Sequence, residues 1–502
     1  MSYKIYPVTQ TELQHNGYCV KVNGQEVALN CARVSAYPIN RRWPGHQRQL
    51  EQTELVNFLS LETDEALTFE ITPATPFEKV EIRPRSLGIV PEVTDGVIRF
   101  TLEKPTYFTV EPYGRHNALH VFADPLSSYN IDKNDPNVLY FGPGEHDVGM
   151  IYLKSGQTLF IDEGAVVYTC VRAMDAENIQ ILGRGILDNS RNKAQILFET
   201  NAERNTQAVL NAKRLHNVQL EYCTNVRIEG ITMRDSLLYN IRPVGCTNLD
   251  ISNVKIIGCW RFNSDGIDMH NCINVNVDNC FIRTFDDCVC VKGFDLYTAP
   301  DVTKAWHDAK YHNGKVYDEF RNVRVANCTL WNDWGKCLEI GAETKASRIS
   351  EIHFENCRII RGIGPILDCM NVDNADIHDV RYENIFIDYD EENPKPMIQQ
   401  TDDETYVNAD PTYMPRTILL NVTEHPEYSK CSPQRGKIHD FVFDNIRIYG
   451  PRGPRLRFVG WNEDHKVSNI TIRNLYHNDK PITPDGYDYE EENFCENINV
   501  II

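Results

Sequence analysis

The 502 residues can bury a large core, and their length suits either several ordinary domains or one long repeat array with an appendage. With 71 acidic against 51 basic residues the chain carries a formal charge of −20, so a nucleic-acid partner, which needs a cationic face to displace counterions, is not expected. Apolar runs are short throughout, so no membrane-crossing helix is predicted.

The first residues, Met1-Ser2-Tyr3-Lys4-Ile5-Tyr6, pass straight into polar sequence without the pattern of a cleavable leader, and a cytoplasmic chain is expected. Residues 1 to about 115 show short alternating runs, such as Tyr18-Cys19-Val20-Lys21-Val22 and Val80-Glu81-Ile82, broken by Pro, Gly and Asn. That texture predicts a small antiparallel β-sandwich as a first domain. Within it, Arg41-Arg42-Trp43-Pro44-Gly45-His46-Gln47-Arg48 gathers three arginines, a Trp and a His in an acidic chain. Such a loop reaches into a neighbouring cleft, contacts a second subunit in a homo-oligomer, or is simply solvated.

From Leu139 onward a polar turn followed by β-branched alternation recurs. It is seen at Asn178-Ile179, Asn225-Val226, Asn248-Leu249, Asn274-Val275, Asn322-Val323, Glu351-Ile352, Asp379-Val380, Asp440-Phe441, Asn469-Ile470 and Asn497-Ile498. The shortest gaps are 23 and 26 residues, and a gap near double length marks an undetected coil or an inserted loop. Helical repeats would place apolar residues three and four apart, whereas these alternate, so residues 116–502 are predicted to form a parallel β-helix. Turn asparagines such as Asn225, Asn248 and Asn274 are expected to bond from coil to coil. Cys280, Cys328 and Cys357 each follow an Asn at equivalent positions, which predicts stacked, buried thiols instead of disulfides or metal ligands. Two segments break the repeat, 294–318 and 389–436, and both are expected to wall a cleft.

The stretch 263–293 carries the chemistry. It reads Asn263-Ser264-Asp265-Gly266-Ile267-Asp268, then an alternating run, then Phe285-Asp286-Asp287-Cys288-Val289-Cys290-Val291-Lys292-Gly293. Asp265 and the Asp286/Asp287 pair are twenty-one residues apart, one coil, which sets them on adjacent coils about 4.8 Å apart along the stack. Carboxyls that close raise one another's pKa, so one is held protonated while its partner stays ionised. Successive strand residues face opposite ways, so Asp286 and Asp287 serve one site only if the backbone bends between Phe285 and Cys288.

These motifs resemble the signature of glycoside hydrolase family 28, the polygalacturonase family, across roughly residues 140–390, with Gly183-Arg184-Gly185 and Ser236 to Ile241 adding weaker matches. The resemblance implies a right-handed all-β parallel β-helix and hydrolysis of α-linked sugars by an inverting single displacement. It implies that Asp286 is the general acid and that Asp265 and Asp287 position and deprotonate the attacking water. Exo action is expected from the two inserted segments. Where the family has Gly-His-Gly, this chain reads Trp334-Gly335-Lys336, followed by Glu339. The family's Arg-Ile-Lys clamp for a substrate carboxylate corresponds to Gly364-Pro365-Ile366-Leu367-Asp368-Cys369, so two cations are missing and an acid has appeared. The expected substrate-binding set is Asn263, Lys292, Trp334, Lys336, Glu339 and Asp368. The expected substrate is a neutral sugar, or a uronic acid held by Lys292, Lys336 or the arginine loop.

No cofactor or metal is expected, because His270, His307 and His312 lack ligand spacing and no phosphate loop or nucleophile elbow is present. Asp268 lies on the same strand stretch as Asp265 and is placed to join the cluster, but it reads better as a solvated turn acid. Competing readings are an α-glucan hydrolase of the dextran- or pullulan-cleaving type on the same plan, a non-catalytic carbohydrate-binding β-helix, and a lyase or transferase on this scaffold.

Overall fold

The computed structural model describes residues 3–36, 39–41, 50–191, 216–261, 263–294, 310–390, 397–399, 413–426, 428–429, 431–483 and 486–501. Most of the arginine-rich loop, the 295–309 part of the first insertion with Trp306 and His307, and residues 391–396 and 400–412 of the second lie outside the described residues.

Two sheets form the N-terminal sandwich. One runs Tyr3–Ile5, Thr53–Thr63, Leu119–Pro125, Tyr107–Glu111, Glu81–Arg83, with Asn30–Ser35 also on Thr53–Thr63. The other runs Gln25–Val27, Tyr18–Val22, Leu67–Pro73, Val97–Leu102, Glu92–Thr94. Strict alternation buries one face of each strand, as in Tyr18, Val20 and Val22, and these side chains meet Leu59, Leu61, Phe108 and Val121 of the facing sheet. Two details depart from expectation. Leu119–Pro125 belongs to the sandwich although it lies beyond residue 115, because it forms a hairpin with Tyr107–Glu111. Its pairing with Thr53–Thr63 is parallel, in a sandwich otherwise antiparallel.

The remainder is a right-handed parallel β-helix, in which 30 strands among the described residues form one continuous sheet. A single ladder of apolar side chains runs through nearly all of it: Ile179, Val226, Leu249, Val275, Val323, Ile352, Val380, Phe441, Ile470 and Ile498 are each register partners of the next. Immediately before each of these positions stands the turn residue noted in the sequence. Asn225 Nδ2 donates to Asn178 Oδ1 at 2.9 Å, Asn248 to Asn225 at 2.9 Å and Asn274 to Asn248 at 2.8 Å. These residues also take a left-handed backbone, with φ of 57° to 60° at those three donors, which Asn tolerates better than most side chains. Val275 pairs directly with Val323, so the double-length gap there is an inserted loop and no coil was missed. All sixteen cysteines are free and thirteen are buried, several in the helix core.

The sandwich docks on the wall that contains Phe281–Thr284. Phe58, Tyr107 and Phe122 pack with Phe281, Trp331, Ile257 and Ile360. Buried polar contacts fix the register of that interface: Lys255 Nζ lies 2.6 Å from Asp124 Oδ2, Arg234 donates to Cys31 O at 2.6 Å, and Arg115 reaches Asp333 at 3.0 Å. The sandwich strand Ile39–Arg41 also pairs in parallel with Met397–Gln399 of the second insertion.

Lys255 and Asp124 are both fully buried, so removing one partner strands a charge. Asp124→Asn should therefore cost about 3–5 kcal/mol in equilibrium denaturation. A loss below about 1 kcal/mol would show that the interface does not depend on the pair.

Candidate active site

Each coil near the site has three short strands, for example Ile273–Asp278, Phe281–Thr284 and Val289–Lys292. Asp286 and Asp287 lie at the bend between the last two, and Asp265 lies at the equivalent bend one coil earlier, before Ile267–His270. The register pairs Ile267 with Val289, so Asp265 stands opposite Asp287 and not Asp286. The expected break in alternation is present. Cys288 and Val289 both enter the core, so Asp287 and Cys290, the residues on either side of them, both point away from it. Asn332 Nδ2 and Thr284 Oγ1 each donate to Asp286 O at 2.5 Å and hold the bend closed.

One oxygen from each of Asp265, Asp286 and Asp287 lies within 4.8 Å of the others. Asn263 donates to Asp286 Oδ2 at 3.1 Å, and the Lys336 backbone N–H donates to Asp287 Oδ1 at 2.8 Å. Gly335 leaves the space they occupy: a Cβ there would lie 2.4 Å from Asp287 Oδ1 and 2.5 Å from Asp286 Oδ1. Trp334 stacks on Phe285 with ring centroids 5.7 Å apart and so braces the same bend from outside.

Lys292 is the counter-ion of the group. Its ammonium is 2.8 Å from Asp268 and 3.7 Å from Glu343, and it lies 3.8 Å from Asp265 and 3.9 Å from Asp287. Asp268 is thus fully buried in the cluster, which corrects its reading as a solvated acid: its register position beside Cys290 turns it to the same wall. Lys336 is similarly engaged, ion-paired to Glu339 and 3.4 Å from Asp368 Oδ2. Glu339 and Asp368 are completely buried and adjacent in register, whereas the Lys336 side chain is about a fifth exposed. The six residues expected to bind substrate therefore divide. Asn263, Trp334 and Lys336 are partly exposed at the bend; Lys292, Glu339 and Asp368 form its buried ionic base.

Burial, joined by Asp287 and Asp268, holds Asp286 well above the usual carboxyl range against Lys292 and Lys336. Burial with Asp268 and Asp286 likewise holds Asp265 high. Asp287 goes the other way: burial would raise it, but Lys336, Lys292 and the Lys336 N–H outweigh burial and hold it below the usual range. Asp368 is pushed up to about 6, by burial foremost. The bend thus presents two carboxyls pushed toward the protonated form, Asp286 and Asp265, beside one pushed toward the ionised form, Asp287, and so offers both an acid and a base.

The three bend carboxylates are close enough to share a cation, and Asp287, Cys290 and Glu339 form a second such group. In the first, the Lys292 ammonium already supplies positive charge, 3.8 Å from Asp265 and 3.9 Å from Asp287. Sequence reasoning missed Glu343 and Gly335, which reach the site from loops around the following coil, where no periodic signal marks them.

A family model described as glycosyl hydrolases family 28 matches residues 156–423. A polygalacturonase of Gossypium barbadense is 29% identical over 204 residues, 39% of this chain and 49% of that protein. An exopolygalacturonase of Oenothera organensis is 26% identical over 161 residues, 30% of this chain and 44% of its own length. The chain spans about half the length of the curated relatives it matches. Among solved structures, Dex49A from Penicillium minioluteum superposes with a TM-score of 0.61 at 13% identity, covering 99% of this chain and 96% of that one, so the likeness is one of fold. Since the matched segment takes in more than half of the 502 residues, the chain belongs to glycosyl hydrolases family 28.

Proposed function

We propose that this protein hydrolyses an α-linked glycosidic bond in a pectin-type oligosaccharide, working from a chain end by a single inverting displacement. The observation that carries the reading is the convergence of Asp265, Asp286 and Asp287 at one bend, their oxygens within 4.8 Å of one another, with Asp286 pushed above the usual carboxyl range and Asp287 below it. Asp286 donates its proton to the glycosidic oxygen, Asp287 deprotonates the water, and Asp265 helps to orient it. The names of the relatives, polygalacturonase and exopolygalacturonase, support a uronic-acid substrate. Exo action is supported by the pairing of Ile39–Arg41 with Met397–Gln399, which ties a sandwich loop to the insertion.

Carboxyl oxygens within 4.8 Å of one another are closer than the roughly 6.5–9.5 Å typical of inverting enzymes. The third carboxylate favours inversion all the same. A retaining enzyme needs one acid and one nucleophile, whereas here a third group remains to share a water with Asp287. NMR of the first-formed anomer checks this: an α-linked substrate should yield the β anomer, and the α anomer would overturn inversion.

Asp286→Asn should lower kcat by about 10²- to 10⁴-fold with little change in KM. Unchanged turnover would leave a carbohydrate-binding β-helix as the better reading. Lys336→Met removes the cation that most depresses Asp287, so the pKa of the base rises and the acid limb of the kcat/KM profile should move to higher pH. A limb that stays in place would detach Lys336 from the chemistry. In Gly335→Ala the new methyl meets both carboxylates, and kcat should fall by at least about tenfold while the fold is retained in circular dichroism.

A further inference from the structure

Behind the catalytic bend lies a buried carboxylate that takes no part in the proposed chemistry. Asp333 opens the five-residue loop, 333–337, that joins Thr329–Asn332 to Leu338–Ile340, and it is fully buried. This loop and the residue before it hold both members of the aspartate pair. Asn332 Nδ2 donates to Asp286 O, the Gly335 N–H donates to Phe285 O at 3.2 Å, the Lys336 N–H donates to Asp287 Oδ1 at 2.8 Å, and Lys336 O accepts from the Cys288 N–H at 2.8 Å. A displacement of Asp333 therefore displaces the hydrogen bonds that place the acid and the base.

Groups from both domains hold Asp333. Its N–H donates to Thr284 O at 3.0 Å, and Oδ1 accepts from Trp331 Nε1 at 2.9 Å and from Arg115 Nη2 at 3.0 Å. Arg115 stands in the turn between the sandwich strands Tyr107–Glu111 and Leu119–Pro125. A second guanidinium, that of Arg283 on the helix strand before the bend, has its Nε 3.6 Å from Asp333 Oδ2 without a hydrogen bond, and its Nη1 turns to the sandwich residue His120, 3.2 Å from Nε2. Among the described residues, Arg115 is thus the one cation that hydrogen-bonds Asp333. Without it a buried carboxylate keeps one neutral side-chain donor and one ion pair lacking a hydrogen bond, which drives the loop to relax toward water.

We propose that Arg115, acting through Asp333, is a positioning residue for Asp286 and Asp287, so that the sandwich completes the active site of the helix on which it docks. The proposal rests on the bend being the hydrolytic site. It divides the contacts between the two domains into two kinds. Lys255 and Asp124 fasten the same domains together, but the other hydrogen bonds of Lys255 go to Gly230 O and Asn253 O, away from the 333–337 loop. Loss of either pair weakens docking, and only loss of Arg115 reaches the acid and the base. A misplacement of about 1 Å there is enough to cost on the order of 10²-fold in rate.

The test compares Arg115→Met, Arg115→Lys and Asp124→Asn in the full chain, with an α-linked oligouronide and an α-linked neutral oligosaccharide as substrates. Arg115→Met should lower kcat by at least about tenfold while KM changes by less than about twofold, because substrate contacts remain and the reacting groups are displaced. Arg115→Lys, which keeps a cation within reach, should recover part of that loss. Asp124→Asn should lower the thermal midpoint yet leave kcat of the folded protein within about twofold of the parent. Hydrogen exchange over residues 333–337, read by mass spectrometry, gives a measure independent of turnover: these amides should exchange faster in Arg115→Met and at the parent rate in Asp124→Asn. Should Arg115→Met not fold, Arg115→Gln, which retains a neutral donor, carries the same expectations. Unchanged kcat in the Arg115 variant, an equal fall in Asp124→Asn, or a rise in KM that accounts for the loss overturns the proposal. If the parent cleaves neither substrate, the hydrolase reading falls and exchange alone decides the positioning role: faster exchange confined to the Arg115 variant upholds it, and equal exchange in both variants overturns it. A parent that cleaves and an Arg115→Met variant that cleaves equally well leave the hydrolase reading standing without it.

Discussion

The site depends on an excess of buried negative charge over the cations that hold it. Asp265, Asp268 and Asp287 crowd Lys292 with Asp286 beside them, and Glu339 and Asp368 flank Lys336, all in a wall with little access to water. Two ammonium groups cannot neutralise six carboxylates in such a place, and an uncompensated buried charge is costlier than a retained proton. Some of the acids must therefore stay neutral, and position decides which. Asp287 receives both lysines and a backbone N–H and so keeps its charge. Asp286 has burial and a charged neighbour against it and so keeps its proton.

The solenoid makes that arrangement affordable in structural terms. Parallel pairing repeats each bend one coil further on, so a residue at a bend acquires neighbours from the coils before and after without any long-range search. The same regularity is rigid, since Asn ladders and stacked apolar side chains leave little freedom to the strands on either side of the bend. Flanking elements then lock the one irregular place. Thr284 and Asn332 grip Asp286 O, and Arg115 of the sandwich reaches Asp333, whose backbone N–H donates to Thr284 O. The sandwich therefore bears on the geometry of the bend as well as on the stability of the chain.

The departures from the family pattern acquire a physical meaning in this setting. Lys336 stands where the family has a histidine, and it is committed to Glu339 and Asp368. The acid at 368 thus has a cation of the protein as its partner. Both lysines of the site are committed to carboxylates of the protein, Lys292 to Asp268 and Lys336 to Glu339 and Asp368.

By itself, the amino-acid sequence determined the β-helix, because its period, its alternation and its turn asparagines are local patterns that only stacked parallel coils satisfy together. It determined the three aspartates of the bend for a similar reason, since a spacing of one coil is a distance in space. It left open which member of the Asp286/Asp287 pair stands opposite Asp265, because register is fixed by hydrogen bonding at the bend and a count of residues does not see it. Only the tertiary structure decided that Asp268 is buried, that Lys292 and Lys336 are counter-ions, and that Gly335 and Glu343 belong to the site. Those facts arise from charges brought together by neighbouring coils and their loops, and a residue's ionic partners are not written in the segment that carries it.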